Sequence, residues 1–233
     1  MSYLFPVSEI FESIQGEGNN AGMRALFVRF QFCNLNFVWC DTKYTWYSDS
    51  GYFKWYSTEE LKNIIREKNI KQVIFTGGEP ALFSLDKLAE AGFIYHVETN
   101  GTVIPDQPLE IRLQDETLIQ REAMNKDIIT SFNWVVSPKL SNSGQKLDLD
   151  SLKYWAEQDS CIFKFICGTE KDLDEIENTI QDFNIDKNKV YIGLEGLTLK
   201  SQLQPELVDK IVARGFNFSP RLQIILWGAR RRK

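Results

Sequence analysis

The chain has 233 residues, 43% of them hydrophobic and 13% aromatic, enough to fill one core or a large α/β unit. Its formal net charge of -5 lacks the basic footprint that phosphate-backbone binding leaves, so nucleic acid is not expected as a partner. No apolar run approaches the roughly 20 residues of a membrane span, and the start, MSYLFPVSEIFES, lacks the basic-then-apolar order of a secretory signal. A cytoplasmic protein with no membrane partner is expected.

Strand-like and helix-like segments alternate, the pattern of a βα repeat with a mainly parallel sheet. In chain order, strands are predicted at Ala25–Cys33, Lys71–Thr76, Ile94–Thr99, Phe132–Ser137, Cys161–Cys167 and Lys189–Leu194. Six such strands make an α/β fold of the partial (βα)6 barrel type rather than a closed eight-fold barrel. Between them, Ser57 and Glu60 form a capping box ahead of Leu61, Ile64 and Ile65, which share one helical face. Thr169 opens a helix carrying Leu173, Ile176 and Ile180. Pro205 and Gly215 frame another that carries Leu207, Val208, Ile211 and Val212. The stretch from Thr102 to Asp127 mixes prolines and charges without a period, so it reads as an irregular insertion or a short helix. No fixed-period repeat or Gly/Ser linker divides the chain, and residues 1–233 read as one domain.

Of the four cysteines, Cys161 and Cys167 bracket the apolar run CIFKFIC and are expected in the core. The only histidine, His96, is two residues before Glu98 on a predicted strand and is expected to be packed inside, about 7 Å deeper along the strand than Glu98. The basic run Arg230–Lys233 reads as a solvated terminus.

In a βα barrel, functional side chains gather at the C-terminal ends of the strands. Four predicted strand ends carry unusual residues. After the first comes CNLNFVWCDT, with Cys33, Phe37, Trp39, Cys40 and Thr42. The second is followed by Thr76-Gly77-Gly78-Glu79-Pro80, the third by Glu98-Thr99-Asn100-Gly101, and the fourth by Ser137-Pro138-Lys139. The glycine pair lets backbone N–H groups approach a ligand where a Cβ would intrude, and Glu79 next to it is suited to accept from an amine.

These segments carry a family resemblance. CNLNFVWCDT resembles the cluster loop of the radical S-adenosylmethionine (SAM) superfamily, in which three cysteines hold a [4Fe–4S] cluster, and TGGEP resembles its methionine-binding turn. Ser13-Ile14-Gln15-Gly16-Glu17-Gly18, Phe27-Val28-Arg29, WCDT, ETNG and SPRLQIILWG together look like 7-carboxy-7-deazaguanine synthase. The resemblance runs from about Glu12 to Gly228.

It implies a carbon–nitrogen lyase of queuosine and deazapurine biosynthesis. Such an enzyme contracts the ring of 6-carboxy-5,6,7,8-tetrahydropterin to 7-carboxy-7-deazaguanine with release of ammonia, using SAM, a [4Fe–4S] cluster and Mg²⁺. It also implies an external electron donor and a homodimer. Position by position, Cys33 and Cys40 fall on cluster ligands and Thr42 on the magnesium position, a hard-oxygen donor for a hard ion. Gln15, Glu17, Arg29, Thr99 and Gln223 fall on substrate contacts; Trp39, Gly78, Glu79 and Ser137 fall on SAM contacts.

The sequence departs from the family at the middle cysteine, where Phe37 stands. Phenylalanine has no lone pair for iron, and thiolates are what hold such clusters. Two readings follow from it: a synthase compromised at its cluster, or a homologue that binds SAM or pterin without radical chemistry. Gln223 stands where some relatives carry a histidine, and it can still both donate and accept hydrogen bonds.

Overall fold

A computed structural model describes residues 3–233. Among these residues are eleven strands: β1 (Leu4–Ile14), β2 (Arg24–Phe30), β3 (Lys54–Ser57), β4 (Gln72–Gly77), β5 (Ile94–Thr99), β6 (Leu109–Arg112), β7 (Leu118–Arg121), β8 (Asn133–Val136), β9 (Cys161–Cys167), β10 (Val190–Leu194) and β11 (Asn217–Phe218). The helices are α1 (Thr58–Lys68), α2 (Lys126–Ile129), α3 (Leu149–Ala156), α4 (Glu170–Asp182), α5 (Leu199–Gln202), α6 (Pro205–Ala213) and α7 (Leu222–Trp227).

Nine strands form one open sheet in the order β11-β10-β9-β8-β5-β4-β2-β1-β3. The six predicted strands are β2, β4, β5, β8, β9 and β10. They lie side by side, all parallel, in chain order. A sheet that advances one strand at a time in one direction curls like part of a barrel, and all its strand ends open on the same rim.

β1 has no counterpart among the predicted strands; it pairs antiparallel with β2 and with β3 and extends the sheet on one side. Pro6 argues against a strand because it has no N–H to donate. Here its carbonyl still accepts from Gln31 N, and the pairing register shifts between Val7 and Glu9. Residues 102–127 are also more regular than expected. They carry the β6–β7 hairpin and the start of α2, too short for a visible period. Arg121, 4% exposed, pins the insertion by donating to the carbonyls of Ala81, Ile104, Pro105 and Gln107.

The predicted helices form where their punctuation lies. Ser57 caps α1 with Glu60 in a reciprocal box, and Thr169 caps α4 with Asp172. Leu61 and Ile65 of α1 are buried, as are Leu173, Ile176 and Ile180 of α4. Each such side chain contributes about 1.5–3 kcal/mol relative to exposure. α6 buries Leu207 and Ile211, but Val212 faces outward and is 59% exposed. Between β4 and β5 the crossover consists of short 3₁₀ turns rather than an α-helix. Cys161 and Cys167 lie in the core, and their burial pushes the thiols up to about 11 and about 12.

Candidate functional site

The C-terminal ends of the six parallel strands, the segment after β1 and residues 228–233 enclose a cavity of about 290 Å³. Every site residue expected from the sequence lines it except Glu79.

Its polar wall is an ion network. Lys164, inward-facing in the middle of β9, reaches Glu98 Oε2 at 2.6 Å and Glu17 Oε2 at 3.0 Å. Arg221 donates from Nε to Glu17 Oε1 at 3.0 Å, from Nη2 to Asp41 and from Nη1 to the Gly196 carbonyl. Burial opposes ionisation of Glu17, but the Lys164 ammonium and the Arg221 guanidinium outweigh it and hold the carboxyl well below the usual range. Gln15 donates to Glu98 Oε1 at 2.8 Å and takes the Glu17 N–H on its own oxygen.

Gln223 donates Nε2–H to Glu17 Oε1, while its Oε1 is buried in the wall with no hydrogen-bond partner among the described residues. A Cβ on Gly16 would lie 1.7 Å from that oxygen, so the glycine is what admits Gln223 here. An unpaired buried acceptor costs about 1–3 kcal/mol, and a ligand N–H would remove that cost.

On another part of the wall, Arg29 donates Nε–H to the buried carboxylate of Glu9 at 3.0 Å. Its two terminal nitrogens make no hydrogen bond among the described residues, and Arg29 lines the cavity. Phe11 and Phe27 stack on each other at 5.0 Å, with the Arg29 guanidinium over Phe11 at 5.7 Å.

The turn after β4 differs from expectation. A Cβ on Gly78 would meet the Phe32 carbonyl oxygen at 2.0 Å, and one on Gly77 would meet that of Phe30 at 2.4 Å. The glycine pair therefore serves close packing on the end of β2. Glu79 faces away from the cavity. It is 0% exposed, and its oxygens accept from Ala81 N, Thr99 Oγ1 and Asn100 N. Burial raises its carboxyl, and those donors counter the rise only in part. Glu79 is thus a fixed post for the loop after β5, and Thr99 spends its hydroxyl hydrogen on it.

The cysteine loop is firmly held. Phe32, just before Cys33, adopts a left-handed backbone with φ 75°, an uncommon conformation for a bulky residue. Cys33 N donates to the Trp46 carbonyl, and Trp39 Nε1 donates to that of Asn142. Burial and the Glu79 carboxylate push the Cys33 thiol up to about 12; burial also raises that of Cys40. Thr42 Oγ1 lies 3.6 Å from Cys40 Sγ.

Phe37 packs edge-on against Trp39 at 4.6 Å, and the Lys139 ammonium lies over both rings at 5.0 and 5.5 Å. Lys139 donates to the carbonyl and hydroxyl of Ser137; burial and the nearby Lys164 charge push it down to about 8. Among the described residues no group of three or more His, Cys, Asp or Glu side chains is placed to hold a metal ion. Two thiols, with an aromatic ring where the third ligand belongs, do not fit a three-thiolate [4Fe–4S] cluster.

His96 is where the sequence put it, inside and away from the cavity. Its Nε2 pairs with Gln72 Oε1 at 2.8 Å, and burial lowers its pKa. The run at 230–233 differs from a plain solvated terminus, because Arg231 and Arg232 fold back onto Glu9. Glu9, Lys164 and Arg221 are not singled out by the sequence, and Glu98 and Lys139 stand at its candidate strand ends without an assigned role. For Lys164 a signal existed: a lysine inside an apolar strand needs a buried partner. Arg221 stood inside a recognised motif without an assigned role.

Residues 27–118 match the family model described as the Radical SAM superfamily. The 7-carboxy-7-deazaguanine synthase of Pyrobaculum aerophilum is 31% identical, covering 97% of this chain and 96% of its own. That of Hyperthermus butylicus is also 31% identical, covering 94% and 92%. Among solved structures, QueE from Escherichia coli superposes with a TM-score of 0.66 at 23% identity over 93% of each chain, a likeness of fold.

Proposed function

Because the chain belongs to the 7-carboxy-7-deazaguanine synthase family, we propose that its cavity receives 6-carboxy-5,6,7,8-tetrahydropterin together with SAM. We further propose that the scaffold is built for the family's ring contraction with ammonia release. The observation that carries this reading is the unsatisfied Gln223 Oε1 beside the Glu17 carboxylate. An aminopyrimidinone edge is a row of N–H donors with one carbonyl, and it would be met by Gln223 Oε1, the remaining lone pairs of Glu17 and the Gln15 amide. Arg29 lines the cavity with both terminal NH₂ groups unspent, suited to the substrate carboxylate.

SAM would lie against Trp39, Gly78 and Ser137, with Glu79 acting only by fixing the Thr99–Asn100 loop. Thr42 supplies one oxygen, which suits a Mg²⁺ ion whose other ligands come from substrate and water. An external electron donor, a homodimer and a cytoplasmic setting belong to the same reading.

The cysteine loop favours a second reading for the chain as it stands: a pterin- and SAM-binding homologue without radical chemistry. Phe37, Trp39 and Lys139 fill one another's contacts, and no third thiolate is at hand. Anaerobic iron–sulfur reconstitution of the protein and of Phe37→Cys separates the two. The variant is expected to take up about four irons and to yield 7-carboxy-7-deazaguanine by mass spectrometry, the unaltered chain far less of both. A variant with a full cluster that cleaves SAM but never makes the product would rule out the synthase reading. A full cluster in the unaltered chain would rule out the second.

A further inference from the structure

Among the described residues Glu9 pairs with more cationic side chains than any other carboxylate, three arginines, and the proposed pterin site does not account for it. Its side chain is fully buried on β1, opposite Arg29 in the β1–β2 register. Oε2 accepts from Arg29 Nε and from the Tyr44 hydroxyl, both at 3.0 Å. Those two donors fill Oε2, and Arg29 alone already balances the charge of the carboxylate. Yet Oε1 also accepts from Arg231 Nε and Nη2 at 3.1 and 2.8 Å, and from Arg232 Nε at 3.2 Å.

The segment bearing these arginines bends to make the contacts. Arg232 takes φ 62°, a left-handed conformation that non-glycine residues seldom adopt, and the Arg231 guanidinium carbon lies over the Tyr44 ring, 3.8 Å from its centroid. Three guanidiniums around one carboxylate leave an excess of positive charge. No other carboxylate pairs with Arg29, Arg231 or Arg232 among the described residues. Of the other acids lining the cavity, Glu17, Glu98 and Asp41 are held by Lys164 and Arg221, and Glu195 pairs with none of the three arginines among the described residues. Arg29, Arg231 and Arg232 all line the cavity and keep terminal N–H groups unspent.

We propose that Arg231 and Arg232, pinned by Glu9, form with Arg29 an anion-selecting rim that makes the cavity prefer a carboxylated pterin over a neutral one. Glu9 is the positioning residue: it orients the guanidiniums and leaves their outer edges to the ligand's carboxylate. A planar fork on a carboxylate is the strongest side-chain geometry for this purpose, and field focusing at a cavity mouth adds to it. The inference rests on the pterin reading of the cavity, shares Arg29 with it, and adds Glu9, Arg231 and Arg232, which that reading does not use.

The test is the affinity of the full chain for 6-carboxypterin and for pterin, which lacks the carboxylate, followed by pterin fluorescence. Arg231 and Arg232 are 56% and 65% exposed, so the double substitution Arg231→Ala, Arg232→Ala leaves the core intact. It is expected to weaken 6-carboxypterin binding roughly tenfold and pterin binding less than about twofold. The Arg231→Lys, Arg232→Lys pair should recover only part of the loss, because an ammonium cannot fork. Added salt should erode the preference of the unaltered chain more than its pterin affinity.

Equal loss for both ligands, or tighter binding by the double alanine variant, would overturn the proposal; the second would mean that the arginines plug the cavity. Binding of both pterins with no preference in the unaltered chain would also overturn it while leaving the pterin reading standing. Binding of neither would remove the pterin reading and this inference together.

Discussion

Arg221 donates its Nε–H to Glu17 Oε1 across 3.0 Å, although 204 residues separate them in the chain. With Lys164 on the other oxygen, this contact joins the segment after β1 to the one after β11 and closes the cavity wall. The Arg221 side chain is 9% exposed and that of Glu17 14%, so neither charge is well served by water.

Removing one partner of such a pair leaves uncompensated charges in a poorly solvated wall. Arg221→Ala is expected to lower unfolding free energy by about 3 kcal/mol, measured by urea denaturation. Arg221→Lys should recover only part, since one ammonium cannot reach Glu17, Asp41 and the Gly196 carbonyl together. An alanine variant as stable as the parent would show that the network is incidental.

The same network sets an acid dependence. Glu17 is held below its ordinary value of 4.5 in the folded chain, so its contribution is complete above that value. It is lost as the pH falls through the lower folded value. Stability should therefore be insensitive to Glu17 between neutral pH and about 5 and decline below. Glu17→Gln should start lower at neutral pH and fall less steeply in acid. An unchanged acid slope in the variant would contradict the assignment.

Two glycine substitutions separate close packing from backbone conformation. Gly78→Ala would drive a Cβ to 2.0 Å from the Phe32 carbonyl, where backbone must move. It is expected to cost about 3 kcal/mol or more. Gly92→Ala meets nothing within 4 Å but sits at φ 92°, so it should cost about 1 kcal/mol from backbone strain alone. Thermal unfolding of the two variants should rank them in that order.

The thiols give a further check. All four cysteines are free and buried, with Cys33 and Cys167 pushed up to about 12 and Cys161 to about 11. Near neutral pH the nucleophilic thiolate is scarce. Iodoacetamide should label the folded metal-free chain slowly, with Cys40, at 9% exposed, first, and all four rapidly in denaturant. Fast native labelling of Cys33 would show that the cysteine loop opens.

Much of the fold was legible because its signals are local. The six parallel strands announce themselves as short apolar runs between turns, and the Ser57 and Thr169 caps show in residues three apart. What hid β1 was also local: Pro6 and a polar, alternating segment that becomes a strand only when β2 and β3 flank it. The β6–β7 hairpin escaped because four-residue strands carry too few alternations to stand out.

For the site, the chain by itself determined which residue types reach the rim, since strand ends and motif order are properties of sequence. It also determined the chemical departure, because no arrangement of Phe37 can supply a lone pair to iron. Only the tertiary structure decided what those residues do there. It turned Glu79 away from the cavity into a post for Thr99 and Asn100, made the glycine pair a packing device, and brought Lys164, Arg221 and Glu17 together. It also folded Arg231 and Arg232 onto Glu9. The reason is physical: whether a buried charge binds a ligand or a neighbour depends on which partner lies within about 3–4 Å, and that partner stands between 20 and 223 residues away in the chain.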